Sequence, residues 1–231
     1  MKKKSMTLTE IIIGISLMTV LATIAITTVQ SYMTQDTDLM KFKHVYATVS
    51  EVIYELKNDS IMYSDASKGF GDTSSKSYPS ESKIFGGKEK FKKLFKSKFN
   101  IYKNDMNVNC YNEAYPVLNL YNKQTQSEEI TYNSKLVCFI DNKGIMYCPP
   151  LINFDSKKYS LTSFFIPVYI NKINLDNPNT YGVSKTIFFE ISKKGKINLP
   201  ATVGSIVDCH DKKYNEYMHC RVIDKMTDLD F

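Results

Sequence analysis

One carboxylate in this 231-residue chain stands where a charge is expensive. Glu10 opens an apolar run, and from Ile11 to Gln35 there is no Asp, Glu, Lys or Arg. The run is long enough for the roughly 20-residue helix that a bilayer core requires. Acidic residues at such positions usually mark function and have a partner, the alternative being that Glu10 sits at the headgroup level and costs little. Lys2-Lys3-Lys4 precede it, which holds the N-terminal side in the cytoplasm and places everything after Tyr32 across the membrane. The other reactive side chains all follow: Cys110, Cys138, Cys148, Cys209 and Cys220, with His44, His210 and His219. Cys209-His210 and His219-Cys220 form a mirrored pair, and zinc takes ligands of both types at short spacing. Adjacent ligands chelate one ion awkwardly, however, and thiols outside the cytoplasm oxidise. A Cys209–Cys220 disulfide is therefore expected, with no metal. Gly69-Phe70-Gly71 is not a phosphate loop, since no strand precedes it and no Lys-Ser/Thr follows. Glu128-Glu129 reads as solvated charge in a polar loop. No nucleophile elbow, His-Glu-x-x-His or Walker sequence occurs, so no catalytic residue, cofactor or enzyme activity is expected.

The elements that must carry these residues begin with a helix. Leu39, Phe42, Tyr46, Val49, Ile53 and Leu56 recur at steps of three and four, one apolar face, with Lys41, Lys43, Glu51, Glu55 and Lys57 around the rest. Between Met6 and Asp59 only Gly14 interrupts, which predicts one helix of about 50 residues, roughly 75 Å long. Residues 59 to 88, rich in Ser, Gly, Asp and Lys, read as a mobile loop. Lys88 to Phe99 predicts a short helix with Phe91, Leu94, Phe95 and Phe99 inward and six lysines, Lys90 among them, on a solvated basic face, the alternative for that face being contact with DNA or anionic lipid. From about Val108 the pattern turns to strands: Tyr115–Tyr121, Leu136–Ile140, Ile145–Cys148, Phe164–Ile170 and Thr186–Ile191. Asp141-Asn142-Lys143-Gly144 joins two of them. A three-residue loop with Gly144 left-handed sets Cys138 opposite Cys148 at disulfide distance. Two bridges among five cysteines leave several connectivities open. The hairpin register and the short 209–220 loop favour Cys138–Cys148 and Cys209–Cys220, with Cys110 free or paired between chains.

The string Lys2-Lys3-Lys4-Ser5-Met6-Thr7-Leu8-Thr9-Glu10 before an apolar helix resembles the cleavage and methylation segment of type IV pilins and type II secretion pseudopilins. The resemblance implies that a prepilin peptidase cuts between Ser5 and Met6 and methylates the new amine, leaving Glu10 fifth in the mature chain. Ser5 replaces the family's usual Gly, and Thr9 stands where Ile is commoner. A membrane-embedded first half and an amphipathic second half of one long helix repeat the pilin plan. Tyr169 to Ile191 resembles a strand–turn–strand segment of pseudopilin-like proteins. Pro178-Asn179-Thr180-Tyr181-Gly182 is kept, but Ser184 stands where Asp is usual. Some relatives bind calcium there. With Asp176 as the one nearby carboxylate beside Asn177 and Asn179, a self-capped Asn-Pro turn is the expectation here.

These readings together give an α+β, type IV pilin-like fold: a long N-terminal helix packed on an antiparallel β-sheet. Residues 1–5 are a leader, 6–32 the membrane half of the helix, and 33–231 an exported domain of sufficient size for a real core. The expected role is a minor pilin or pseudopilin that waits in the inner membrane and assembles with other subunits, Glu10 meeting a neighbour's N-terminal amine. Secretion, adhesion, motility and DNA-uptake filaments are not distinguished. Net charge is +6, and +3 after removal of the three leader lysines. That mild, dispersed excess is weak evidence for nucleic acid. Two rival readings exist. A secretory signal peptide should end in a small-x-small cleavage site, and the run around Ala22 and Ala25 offers no clean one. A simple anchor for an exported binding domain or enzyme leaves the Met6-to-Glu10 spacing unexplained.

Overall fold

The computed structural model describes residues 37–74, 76–77, 84–109, 114–152, 158–170 and 182–227. The chain divides into two compact units, Met1–Lys43 and His44–Phe231. Of the first unit only residues 37–43 are described, and they are helical. The segment read as a membrane span, 6–32, lies outside the described residues. Among those described, no helix is long and apolar enough to cross a membrane.

Residues 37–57 are helical (α1). Within the second unit α1 buries Val45, Val49, Val52, Ile53 and Leu56. This is the predicted stripe, widened by two valines that a strict three-four step passes over. Tyr46 on the same helix sets its ring 6.2 Å from that of Phe189.

The strands are β1 (Lys76–Ser77), β2 (Ile84–Phe85), β3 (Ile101–Asn109), β4 (Tyr115–Asn122), β5 (Ser127–Asn133) and β6 (Lys135–Asp141), then β7 (Met146–Tyr147), β8 (Tyr159–Tyr169), β9 (Thr186–Ser192), β10 (Ile197–Asn198), β11 (Thr202–Val203) and β12 (Val207–Asp208). Two further helices are α2 (Lys90–Lys96) and α3 (Met218–Thr227). Eight of the strands form one antiparallel sheet in the order β10-β9-β8-β7-β6-β3, with β4 and β5 branching from β8. The fold class is therefore α+β with an antiparallel sheet.

β8 is the axis of this sheet. One edge pairs with β9 from Ser163 to Tyr169. The other edge takes β4 along its first half, up to Phe164, and β7 along its end, from Val168. A proline in a central strand removes a ladder donor. Pro167 is tolerated because of where that donor would point. Its carbonyl accepts from the Cys148 N–H at 3.0 Å, on the β7 side. In an antiparallel strand N–H and C=O of one residue point the same way, so the missing N–H faces the seam between β4 and β7.

Successive side chains serve opposite faces, as the pleat requires. Phe139, Tyr147, Phe164 and Phe189 face α1 and α2. Phe91 and Phe70 lie 4.6 and 5.8 Å from Phe164, and Phe99 lies 4.6 Å from Tyr147. Their sequence neighbours Cys138, Met146, Phe165 and Phe188 join the other core, with Val203, Val207 and Cys220. The sheet is thus buried on both faces, which explains why β8 and β9 read as near-continuous apolar runs rather than alternating ones.

Three expectations change. The 59–88 stretch is not simply a loop: Met62, Tyr63, Phe70 and Asp72 are buried, and β1 and β2 pair as a short ribbon. The strands of the large sheet begin at Ile101, well before Val108. Glu128 and Glu129 lie on strand β5 rather than in a loop. Glu129 accepts from the Asn122 amide at 2.6 Å across the β4–β5 pair.

Candidate functional site

The residues tied to processing and assembly, Ser5, Met6 and Glu10, lie outside the described residues, as do Cys110 and Asp176 to Asn179. The other four cysteines are paired as expected. Phe139 faces Tyr147 and Ile140 faces Met146, which brings Cys138 and Cys148 to a Cα separation of 4.3 Å within a disulfide. The turn works as its residues dictate. Gly144 has φ +79°, and the Asp141 carboxylate accepts from the Lys143 and Ile145 N–H groups, both at 2.9 Å. The second bridge, Cys209–Cys220, ties the loop after β12 to the first turn of α3.

The histidines take unrelated places. His44, on α1, lies 2.7 Å from the Lys143 ammonium at the tip of the β6–β7 hairpin. His210 is exposed, its N–H donating to Asp208. His219 is fully buried and links β9 to the segment after β10. β10 pairs with β9 only at Ile197↔Ile191 and Asn198↔Glu190. Two residues further on, that register would set Pro200 opposite Phe188. The imidazole of His219 occupies this gap. Nδ1 accepts from the Phe188 N–H at 3.3 Å, so the ring proton sits on Nε2 and is donated to the Pro200 carbonyl at 2.8 Å. A side chain thereby satisfies a backbone donor and acceptor beyond the end of the ladder. Burial pushes the imidazole down to about 4, against the Pro200 hydrogen bond, which favours the charged form. Cys209 and Cys220 bond each other, and no group of three or more potential metal ligands occurs among the described residues.

Two lysine-rich features were not separable in the sequence. Lys90, placed above on a solvated face, is 1% exposed. Its ammonium lies 3.7 Å from Asp72, over the Tyr63 ring, and donates to the carbonyls of Met62 and of Ser74. It ties the 59–74 segment to α2. Burial works to raise the Asp72 carboxyl, but Ser74 and the Lys90 charge prevail and hold it below the usual carboxylate range. One signal was present. Lys90 is one turn before Leu94 and next to Phe91, on the apolar side of α2.

Beside this node is a cleft of about 340 Å³ between the end of α1, the 63–70 segment and the β9–β10 turn. Tyr63 and Phe70 form its aromatic wall, their rings edge to face at 5.0 Å. Lys57, Lys193 and Lys194 stand on its rim, and among the described residues none of the three has an ion-pair partner. Close backbone approach builds it. The Phe70 N–H donates to the Lys193 carbonyl at 3.0 Å, and Gly69, at φ +50°, has that carbonyl 2.0 Å from where a Cβ would be.

None of the protein-family models, curated proteins and solved structures compared with the chain matches it. The cleft combines three lysines with two aromatic residues, and among the described residues its lining includes no Ser, Thr, Cys, His, Asp or Glu. It is suited to holding an acidic, partly apolar group.

Proposed function

We propose that the chain is a structural subunit of the type IV pilin-like class, a minor pilin or pseudopilin, assembled into a filament through its apolar N-terminal segment. The observation that carries this reading is the string from Lys2 to Glu10 ahead of an apolar run without Asp, Glu, Lys or Arg up to Gln35. An α+β domain with an amphipathic helix on an antiparallel sheet, closed by two disulfides, is the kind of exported body that such a segment would carry. In this reading the inner membrane holds the subunit before assembly, and prepilin peptidase removes residues 1–5. In the bundle of apolar helices Glu10 neutralises the Met6 amine of a neighbour. A charge left alone in such a low-dielectric setting costs about 3–5 kcal/mol, so the pair sets the axial register.

The test is the mass of the mature chain purified from cells with an active prepilin peptidase. The expected N-terminus is N-methylated Met6, and Ser5→Gly is processed at least as well as Ser5. An intact leader favours a membrane-anchored exported domain that never assembles, and cleavage near Ala25 favours a secretory signal peptide; either result overturns the reading.

A further inference from the structure

We propose that the lysine-rimmed cleft receives the segment Asp228-Leu229-Asp230-Phe231 of a second copy of this chain. The occupant is argued from complementarity. The cleft is lined by three lysines, Lys57, Lys193 and Lys194, together with Tyr63 and Phe70. Lys193 and Lys194 belong to the β9–β10 turn and Lys57 to the last turn of α1, so the charges approach from two sides. Opposite charges so arranged fix the register of an encounter and speed it. The segment after α3 lies outside the described residues, and its sequence alternates acid and apolar residues. In an extended chain such alternation puts Asp228 and Asp230 on one side and Leu229 and Phe231 on the other. One side then meets the ammonium rim, and the other meets the aromatic wall.

The cleft has further properties that suit a peptide. Its volume, about 340 Å³, is that of a site for a few side chains rather than a whole domain face. Its wall holds one buried polar atom, the Tyr63 hydroxyl oxygen, which has no hydrogen-bond partner among the described residues. The neighbouring acid Asp65 is already engaged with Lys68 at 3.6 Å, so it does not neutralise the rim. A contact of this kind links exported domains and needs neither Glu10 nor the apolar segment. Its failure therefore leaves the reading of the N-terminus untouched, and the reverse also holds.

The experiment mixes equal amounts of natural-abundance and 15N-labelled full-length protein in detergent. A zero-length carbodiimide then joins carboxylates to amines that touch, each amide forming with loss of water. Peptides linking Asp228 or Asp230 to Lys57, Lys193 or Lys194 are expected. About half of them should be isotopically mixed, as random pairing of two copies requires. Because Lys193→Glu with Lys194→Glu also removes two of the coupled amines, it is read at the amine that stays: the yield of links from Asp228 or Asp230 to Lys57 should fall at least about fivefold. Combining this reversal with Asp228→Lys and Asp230→Lys should restore linkage between positions 193–194 and 228–230. All substituted side chains lie on the rim or after α3, and an unchanged melting temperature checks that each variant folds. Lys193→Ala with Lys194→Ala serves if a reversal does not. Absence of these links, links of single isotope only, links to a different acidic segment, or a yield indifferent to charge reversal each overturn the proposal.

Discussion

A buried histidine that lends one nitrogen to a strand and the other to the segment after the next strand must stay neutral to do so. Protonated, the Nδ1 of His219 would become a donor facing the Phe188 N–H, and the splice between β9 and Pro200 would open. Its folded pKa is depressed to about 4, below the 6.5 of the unfolded chain. The unfolded state therefore takes up a proton first. The stability that the neutral ring contributes is complete above pH 6.5 and is lost as pH falls from there through about 4. A gap of this size corresponds to about 3 kcal/mol. Urea unfolding at pH 7.5, 6, 5 and 4 should show that loss, and His219→Gln should flatten the part of it that lies between 6.5 and 4. An equal slope in the variant would remove His219 as its source. At the same scale Lys90 is one of six lysines between Lys88 and Lys98, alike in type. Only its place beside Phe91 and one turn before Leu94 on α2, with Asp72 brought against it, makes it a core residue.

Among elements, those with strong local signals were legible. The β6–β7 hairpin was readable because Asp141 and Gly144 prescribe a tight turn, and the turn prescribes which cysteines meet. β3 and β5 were not. β5 sets Ile130 and Tyr132 among Ser, Glu, Thr and Asn at the end of the β4 branch, and among the described residues it pairs only with β4. β3 carries buried Met106 and Val108 among exposed polar residues, and two register shifts break its alternation. The 59–74 segment was missed for a different reason. Its packing depends on one close approach between backbones rather than on periodicity. Gly69 makes that approach possible, which sets a prediction at this scale. Gly69→Ala puts a methyl group where the Lys193 carbonyl is and forces a side chain onto a φ of +50°. It should destabilise the domain by more than about 1 kcal/mol, measured by denaturant midpoint. It should also weaken protection of the Phe70 amide in hydrogen exchange. An unchanged midpoint and unchanged Phe70 protection would show that this junction does not hold the segment.

At the scale of the whole molecule the expected roles divide between an assembling segment and a stapled domain, and the division is testable. Glu10→Leu should leave membrane insertion intact or improved, since it removes a charge from the edge of the apolar run. It should impair incorporation into a filament, because a neighbour's amine then lacks its carboxylate. Copurification with the filament, normalised to membrane level, is the measurement. Normal incorporation would count against the register role and favour a simple tether. What the sequence by itself determined was local: the amphipathic stripe of α1, five of the strands, the turn at Gly144, the two cysteine pairings, and the charge and apolar run ahead of them. Each depends on residues close enough in the chain for one backbone geometry to relate them. What only the tertiary structure decided were relations between distant segments. These are the two-faced burial of the sheet, the choice of Lys90 over its neighbours, His219 reaching Phe188 and Pro200, and the cleft that joins Lys57 to Lys193. No repeat or spacing encodes such meetings, because they follow from which apolar faces must cover one another once the sheet has formed.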